Sequence, residues 1–208
     1  MSKLFKNNQQ NTDFTPRQRL ENKYNGTKGN LLLVVVFTVI NLVLLITNAN
    51  TYFLFSAYVP YAILDLAMFF CGKYPAEYYA ELGEMPFLNS TVFYIVIAVA
   101  FVIVLLYFVS WLFIKKGKNG WLVFSLVFFS FDTAVMFLLN GIDTSMIMDI
   151  LFHAWVIYSL AQGIDAYKKL KKLDMEEAEK QNDEFSAEAE VVQTEPVLNG
   201  EETNIENG

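Results

Sequence analysis

The chain has 208 residues, is 54% hydrophobic and carries a formal net charge of −7. Its charged residues gather towards the two ends, which excludes an ordinary soluble domain of this size and points to an integral membrane protein. The single cysteine, Cys71, excludes an intramolecular disulfide and a Cys-rich metal site.

Residues 1–30 hold six Lys/Arg against two acids. With the turn formers Asn25-Gly26 and Lys28-Gly29-Asn30, they read as a flexible basic arm on the cytoplasmic side, close to anionic lipid. The first apolar run begins only after this polar stretch, so no cleavable signal peptide is expected. Residues 31–47 form the first predicted span. Thr38, Asn41 and Asn48 fall on one face of it by helical spacing. Hydrocarbon offers them no partner, so that face is expected to meet other helices.

Residues 52–70 are apolar and long enough to cross a bilayer, yet they contain Pro60 and Asp65. The positive-inside rule decides between two topologies. If this segment does not cross, the spans are 31–47, 92–113, 121–139 and 146–164, and 14 of the 15 basic residues lie on the cytoplasmic side, with Lys73 alone outside. If it crosses, the split is 7 against 8 and the bias vanishes. Four spans follow, with residues 52–70 as a re-entrant or interfacial segment inside an extracytoplasmic stretch, 48–91. Such a segment requires protein or water to satisfy its backbone. Its Tyr and Phe content suits the membrane interface.

Further along, residues 75–83 read as a short external helix with Pro at its start and Gly at its end. Asn89-Ser90-Thr91 matches a glycosylation acceptor, a pattern common by chance. Residues 92–113 are the least polar span and read as a packing helix, with Tyr107 and Trp111 as anchors. The turn 115–119 is too tight for anything but a hairpin between neighbouring spans. After the basic cluster 168–172, residues 174–180 continue the last helix. From Gln181 onward the chain is acidic and poor in aromatics, which predicts disorder. The expected domains are therefore a basic cytoplasmic arm (1–30), a four-helix transmembrane domain (31–172) and an acidic disordered cytoplasmic tail (173–208), an all-α membrane protein with both termini inside.

The candidate polar site lies in the last two spans. An ionised group at the bilayer centre costs about 2.5–3.5 kcal/mol on insertion scales, so Asp132 needs a partner. At about 1.5 Å per residue, Asp132 lies about 12 Å below the outer surface and His153, the only histidine, about 10 Å. The two helices are antiparallel neighbours, so these residues reach one level. Asp149 stacks one turn above His153, and Gly163 continues the same face towards the cytoplasm and permits close helix approach. The expected arrangement is a buried Asp132–His153 pair topped by Asp149, with Asn41 as a further polar candidate in the first span. It suits a structural clasp, or a proton- or cation-handling site. It suits a transition-metal site least, because the three residues follow no ligand-spacing motif. Glu77 and Glu81 stack one turn apart and face water, and Gln162 and Asp165 lie near the cytoplasmic boundary.

The phrases Phe53-Leu-Phe-Ser-Ala-Tyr-Val-Pro-Tyr61 and Asp149-Ile-Leu-Phe-His-Ala-Trp-Val-Ile-Tyr158, followed by Gly163 and the basic cluster, resemble a group of small bacterial polytopic membrane proteins. The resemblance covers residues 30–173 and implies a bacterial cytoplasmic membrane. That group has no assigned activity, so the resemblance implies no catalytic residue. The sequence itself has no Gly-x-Ser-x-Gly elbow, no His-Glu-x-x-His and no phosphate-binding Gly loop. No catalytic residue, metal or cofactor is expected. Two functional classes remain open: a non-enzymatic scaffold or accessory protein with a membrane-protein partner, and a small proton or cation transporter component acting as a homo-oligomer. Nucleic acid is not an expected partner.

Overall fold

A computed structural model describes residues 14–83, 85–141 and 146–194. Among these the chain forms five α-helices, α1 (Pro16–Ile46), α2 (Tyr58–Phe70), α3 (Ser90–Lys115), α4 (Gly120–Asn140) and α5 (Ile147–Thr194), with a short 3-10 turn at Ala76–Tyr79. It divides into two units, Met1–Lys169 and Leu170–Gly208. Four of the helices, α1, α3, α4 and α5, are long and apolar enough to cross a membrane, while α2 is shorter.

In the first unit each long helix buries one stripe. On α1 the buried residues are Thr27, Leu31, Val34, Val35, Thr38, Asn41, Leu42 and Leu45, a three-to-four-residue rhythm that turns one face inward. The stripe on α4 runs through Leu122, Ser125, Phe129, Asp132, Thr133 and Met136. Several of these inward residues are polar. Their outward neighbours are not: Val102, Leu105, Val127, Phe131 and Leu138 are all exposed. A helix with polar groups inside and apolar groups outside is suited to a lipid solvent, where an unpaired polar group is what must be hidden. Three buried hydroxyls of α3 and α4 are accordingly satisfied within their own helices. Ser110 donates to the Leu106 carbonyl at 2.7 Å, Ser125 to Trp121 at 2.9 Å and Thr133 to Phe129 at 2.8 Å.

The first helix begins earlier than its apolar run. Residues 16–30, expected to be a flexible arm, are helical. Thr15 and Gln18 form a reciprocal capping box and Pro16 opens the first turn. Tertiary contacts then hold the segment. The Tyr24 hydroxyl donates to Asn119 Oδ1 at 2.6 Å, and the Thr27 hydroxyl donates to the Ser159 carbonyl of α5 at 2.8 Å. Gly26 and Gly29, which suggested turns, sit inside the helix.

Two other boundaries differ from expectation. The external helix expected at 75–83 is a single 3-10 turn, Ala76–Tyr79, followed by Gly83 in the left-handed region. Asn89 acts as the N-cap of α3, its side chain accepting from the Thr91 amide at 3.0 Å, a structural use of the residue that resembled a glycosylation site. In the second unit, α5 extends to Thr194, past Gln181, where disorder was expected. Strong helix formers dominate residues 170–180, where Lys172 and Glu176 approach to 3.6 Å one turn apart, and Ala and Glu recur at 187–190. The part of the expected tail beyond residue 194 lies outside the described residues.

Candidate functional site

The site is built where the segment between α1 and α2 turns back along α1. Asn48, at φ 54, ends α1, with the Ala49 amide donating to the Leu44 carbonyl at 2.8 Å. The chain then runs back beside the helix it has left. Asn41 fixes it with three hydrogen bonds: Oδ1 accepts from the Phe53 amide at 2.8 Å, and Nδ2 donates to the Phe53 carbonyl at 2.7 Å and to Ser56 Oγ at 2.9 Å. The Thr38 hydroxyl accepts from the Ala57 amide at 2.8 Å and donates to its own Val34 carbonyl at 2.6 Å. The polar face expected to meet another helix therefore meets irregular backbone, which needs polar partners most. Between these pins Phe55 adopts φ 70, a strained value for a bulky residue, with its ring 3.9 Å from that of Phe152.

Asp132 completes the arrangement from α4. Its Oδ2 accepts from the Tyr58 amide at 2.7 Å and its Oδ1 from the Val59 amide at 2.8 Å. These are the first two amides of α2, and the residue before them, Ala57, provides no side-chain cap. The accounting at this helix start closes. Ala57 donates to Thr38, Tyr58 and Val59 donate to Asp132, and Pro60 has no amide hydrogen to place. Pro60, puzzling inside an apolar run, removes the one donor that would have no partner. The carboxylate also faces the positive end of the α2 dipole.

His153 reaches the same place from α5. Its Nε2 is 3.8 Å from Asp132 Oδ2, and the two side chains are almost wholly buried. The expected pairing thus brings the two residues together, but at a separation longer than a hydrogen bond. Nδ1 lies 2.8 Å from the Asp149 carbonyl, which can only accept, so Nδ1 carries the hydrogen. Nε2 is left facing the carboxylate with no hydrogen-bond partner among the described residues. The imidazole stacks on Phe129 at 5.1 Å. Tyr107 of α3 lies against the same Phe129 at 6.3 Å, and its buried hydroxyl also has no hydrogen-bond partner among the described residues.

Of the residues singled out from the sequence, Asp132 and His153 meet, and Asp149 contributes its backbone carbonyl while its side chain stays half-buried. Asn41 belongs to the neighbouring loop pin. No group of three or more His, Cys, Asp or Glu positioned to hold a metal ion occurs among the described residues. Sequence reasoning missed the amides of Tyr58 and Val59, and it placed Tyr107 as an anchor where the structure buries it. The available signal was a proline at the third helical position after a residue unable to cap. No protein-family model matches the chain, and comparison with curated proteins and with solved structures found no significant match.

Proposed function

We propose that the chain is a multi-pass membrane protein with both termini cytoplasmic, acting as a non-enzymatic scaffold or accessory protein. In this reading residues 48–70 form a re-entrant segment that dips in from the outer side, with α2 returning to the surface. Its partners are the bilayer and another membrane protein, met through the external segment and the acidic cytoplasmic end. One observation carries it: both Asp132 oxygens are committed to the first amides of α2, so the buried carboxylate is used as a structural cap. A carboxylate so engaged holds irregular backbone in place where water is scarce.

A second reading is favoured by His153 Nε2, which faces Asp132 at 3.8 Å with no other partner among the described residues. A hydrogen on that nitrogen would point at the carboxylate, and the pair would serve a proton- or cation-handling component. Four spans line a path with difficulty, so this reading requires a homo-oligomer.

Co-purification from mild detergent with native mass analysis separates the two. A stoichiometric foreign membrane protein supports the scaffold. A symmetric homo-oligomer whose vesicles pass protons, and lose that ability on His153→Gln, replaces it with the second reading. Reporter fusions after Lys118 and after Lys172 test the topology, and both are expected to behave as internal, because only that arrangement places 14 of the 15 basic residues inside. An external signal from either would overturn the four-span arrangement.

A further inference from the structure

Between α1 and α5, beside the Thr27–Gly163 contact, lies a groove of about 200 Å³ lined by Lys23, Asn30, Trp155, Tyr158, Ser159 and Gln162, among others. Several of its polar groups have a hydrogen to spare. Asn30 Nδ2 donates to Ser159 Oγ at 2.7 Å, which leaves the Ser159 hydrogen to be placed elsewhere. Gln162 Nε2 donates to the Tyr158 hydroxyl at 2.6 Å, which likewise leaves the tyrosine hydrogen. Lys23 adds an ammonium whose side chain makes no hydrogen bond or ion pair with the described residues. No carboxylate lines the groove, and the nearby Asp165 is held by Lys169 at 2.7 Å. This donor set fits an anion.

The groove also has a direction. From Tyr158 the exposed apolar residues Trp155, Leu151 and Met148 follow at three- and four-residue intervals along one face of α5. A charged, donor-rich end that continues into an apolar track has the polarity of a lipid, whereas a free ion would need only the first part. We propose that this groove seats the phosphate headgroup of an anionic phospholipid, with an acyl chain lying along Tyr158, Trp155 and Leu151. The proposal rests on the membrane reading above, since it places Lys23 and Gln162 at the cytoplasmic headgroup level.

The test is native mass analysis of the full chain, delipidated in mild detergent, titrated with phosphatidylglycerol and with phosphatidylcholine of the same acyl composition. Tighter retention of phosphatidylglycerol is expected. Lys23→Gln should weaken it about fivefold, the worth of one lysine near an anionic surface, with phosphatidylcholine unchanged. Lys23→Arg should preserve the preference, and Lys73→Gln, on the outer side, should leave it intact. Equal retention of the two lipids, or equal effects of Lys23→Gln and Lys73→Gln, would overturn the site. Displacement of phosphatidylglycerol by millimolar inorganic phosphate would overturn the lipid and leave a free-anion site. Failure of the membrane reading would show separately, as a chain that stays in the aqueous fraction without detergent.

Discussion

Tyr58 opens α2 by donating its amide hydrogen to Asp132 Oδ2 at 2.7 Å, across 74 residues of sequence. With the adjacent Val59 amide on Oδ1, the carboxylate occupies the helix start as an N-cap residue would, but it is delivered from another helix. The expected consequence of Asp132→Ala is loss of about 2 kcal/mol, the scale of hydrogen bonds to a charged acceptor. Asp132→Asn should cost less, since one oxygen still accepts. Cys71, buried just past the other end of α2, supplies a native reporter. Maleimide labelling of Cys71 should be slow in the wild type, faster in Asp132→Asn and fastest in Asp132→Ala. Unchanged labelling in all three would mean that α2 is held by packing and not by its cap.

The four long helices were legible because each is a sustained apolar run, and a run of that kind depends on no partner. Their ends were not. Residues 16–30 looked like a linker because Gly26 and Gly29 are poor helix formers. Yet Thr15-Pro16-Arg17-Gln18 is a capping box, and Tyr24 and Thr27 find partners on elements more than 90 residues away. The common depth of Asp132 and His153 followed from residue counting, and they do meet. The true ligands of Asp132 were hidden because they are backbone amides, which have no identity in a sequence. Asn41 shows the same limitation, since its partners are the amide and carbonyl of Phe53.

The Asn41 pin should be worth more than the Thr38 one. Asn41 satisfies both backbone groups of Phe53, and Thr38 satisfies a single amide. Leaving a buried backbone group unpaired costs about 1–3 kcal/mol. Asn41→Leu should therefore destabilise the protein more than Thr38→Val, and Asn41→Asp should also destabilise it, because a carboxylate accepts from the amide but cannot donate to the carbonyl and adds a buried charge. Thermal unfolding ranks the variants. Hydrogen exchange across residues 52–57 locates the effect, with faster exchange expected there first. A larger loss in Thr38→Val would reverse the assigned hierarchy.

The segment that follows α2 carries a pH dependence of definite sign. Tyr74 donates its hydroxyl to the Asp65 carboxylate and stacks on Tyr78 at 5.0 Å. Burial, and then the hydrogen bond to Asp65, push the phenol well above its usual range. Because the folded value lies above the unfolded one, the stabilisation is complete below the unfolded pKa, about 10. It is lost as pH rises beyond that, because the unfolded chain ionises first. Melting temperatures of wild type and Tyr74→Phe should differ by a constant amount from neutral pH to about 9 and then converge at higher pH. A constant difference through strongly alkaline pH would exclude the Tyr74–Asp65 bond as its source.

Glycine substitutions in α1 and α5 should change stability in opposite directions. A β-carbon on Gly163 would lie 2.6 Å from both Thr27 Cγ2 and Thr27 Oγ1, and 2.8 Å from Thr27 Cβ. Those atoms belong to a short, branched side chain that cannot swing aside, and its hydroxyl is already committed to the Ser159 carbonyl at 2.8 Å. Gly163→Ala must push the two helices apart, at about 1–3 kcal/mol for overpacking, against a gain of about 1 kcal/mol in helix propensity. A net loss is expected, and Gly163→Leu should lose more. Gly26 and Gly29, also helical, meet nothing within 4 Å of an added β-carbon. Gly26→Ala and Gly29→Ala should therefore show the propensity gain alone and raise the melting temperature. Thr27→Ala in the Gly163→Ala background removes the two nearest contacts but keeps the β-carbon, so it should recover part of the loss and not all of it. Stabilisation by Gly163→Ala to the same degree as Gly29→Ala would show that α1 and α5 do not approach closely at Thr27.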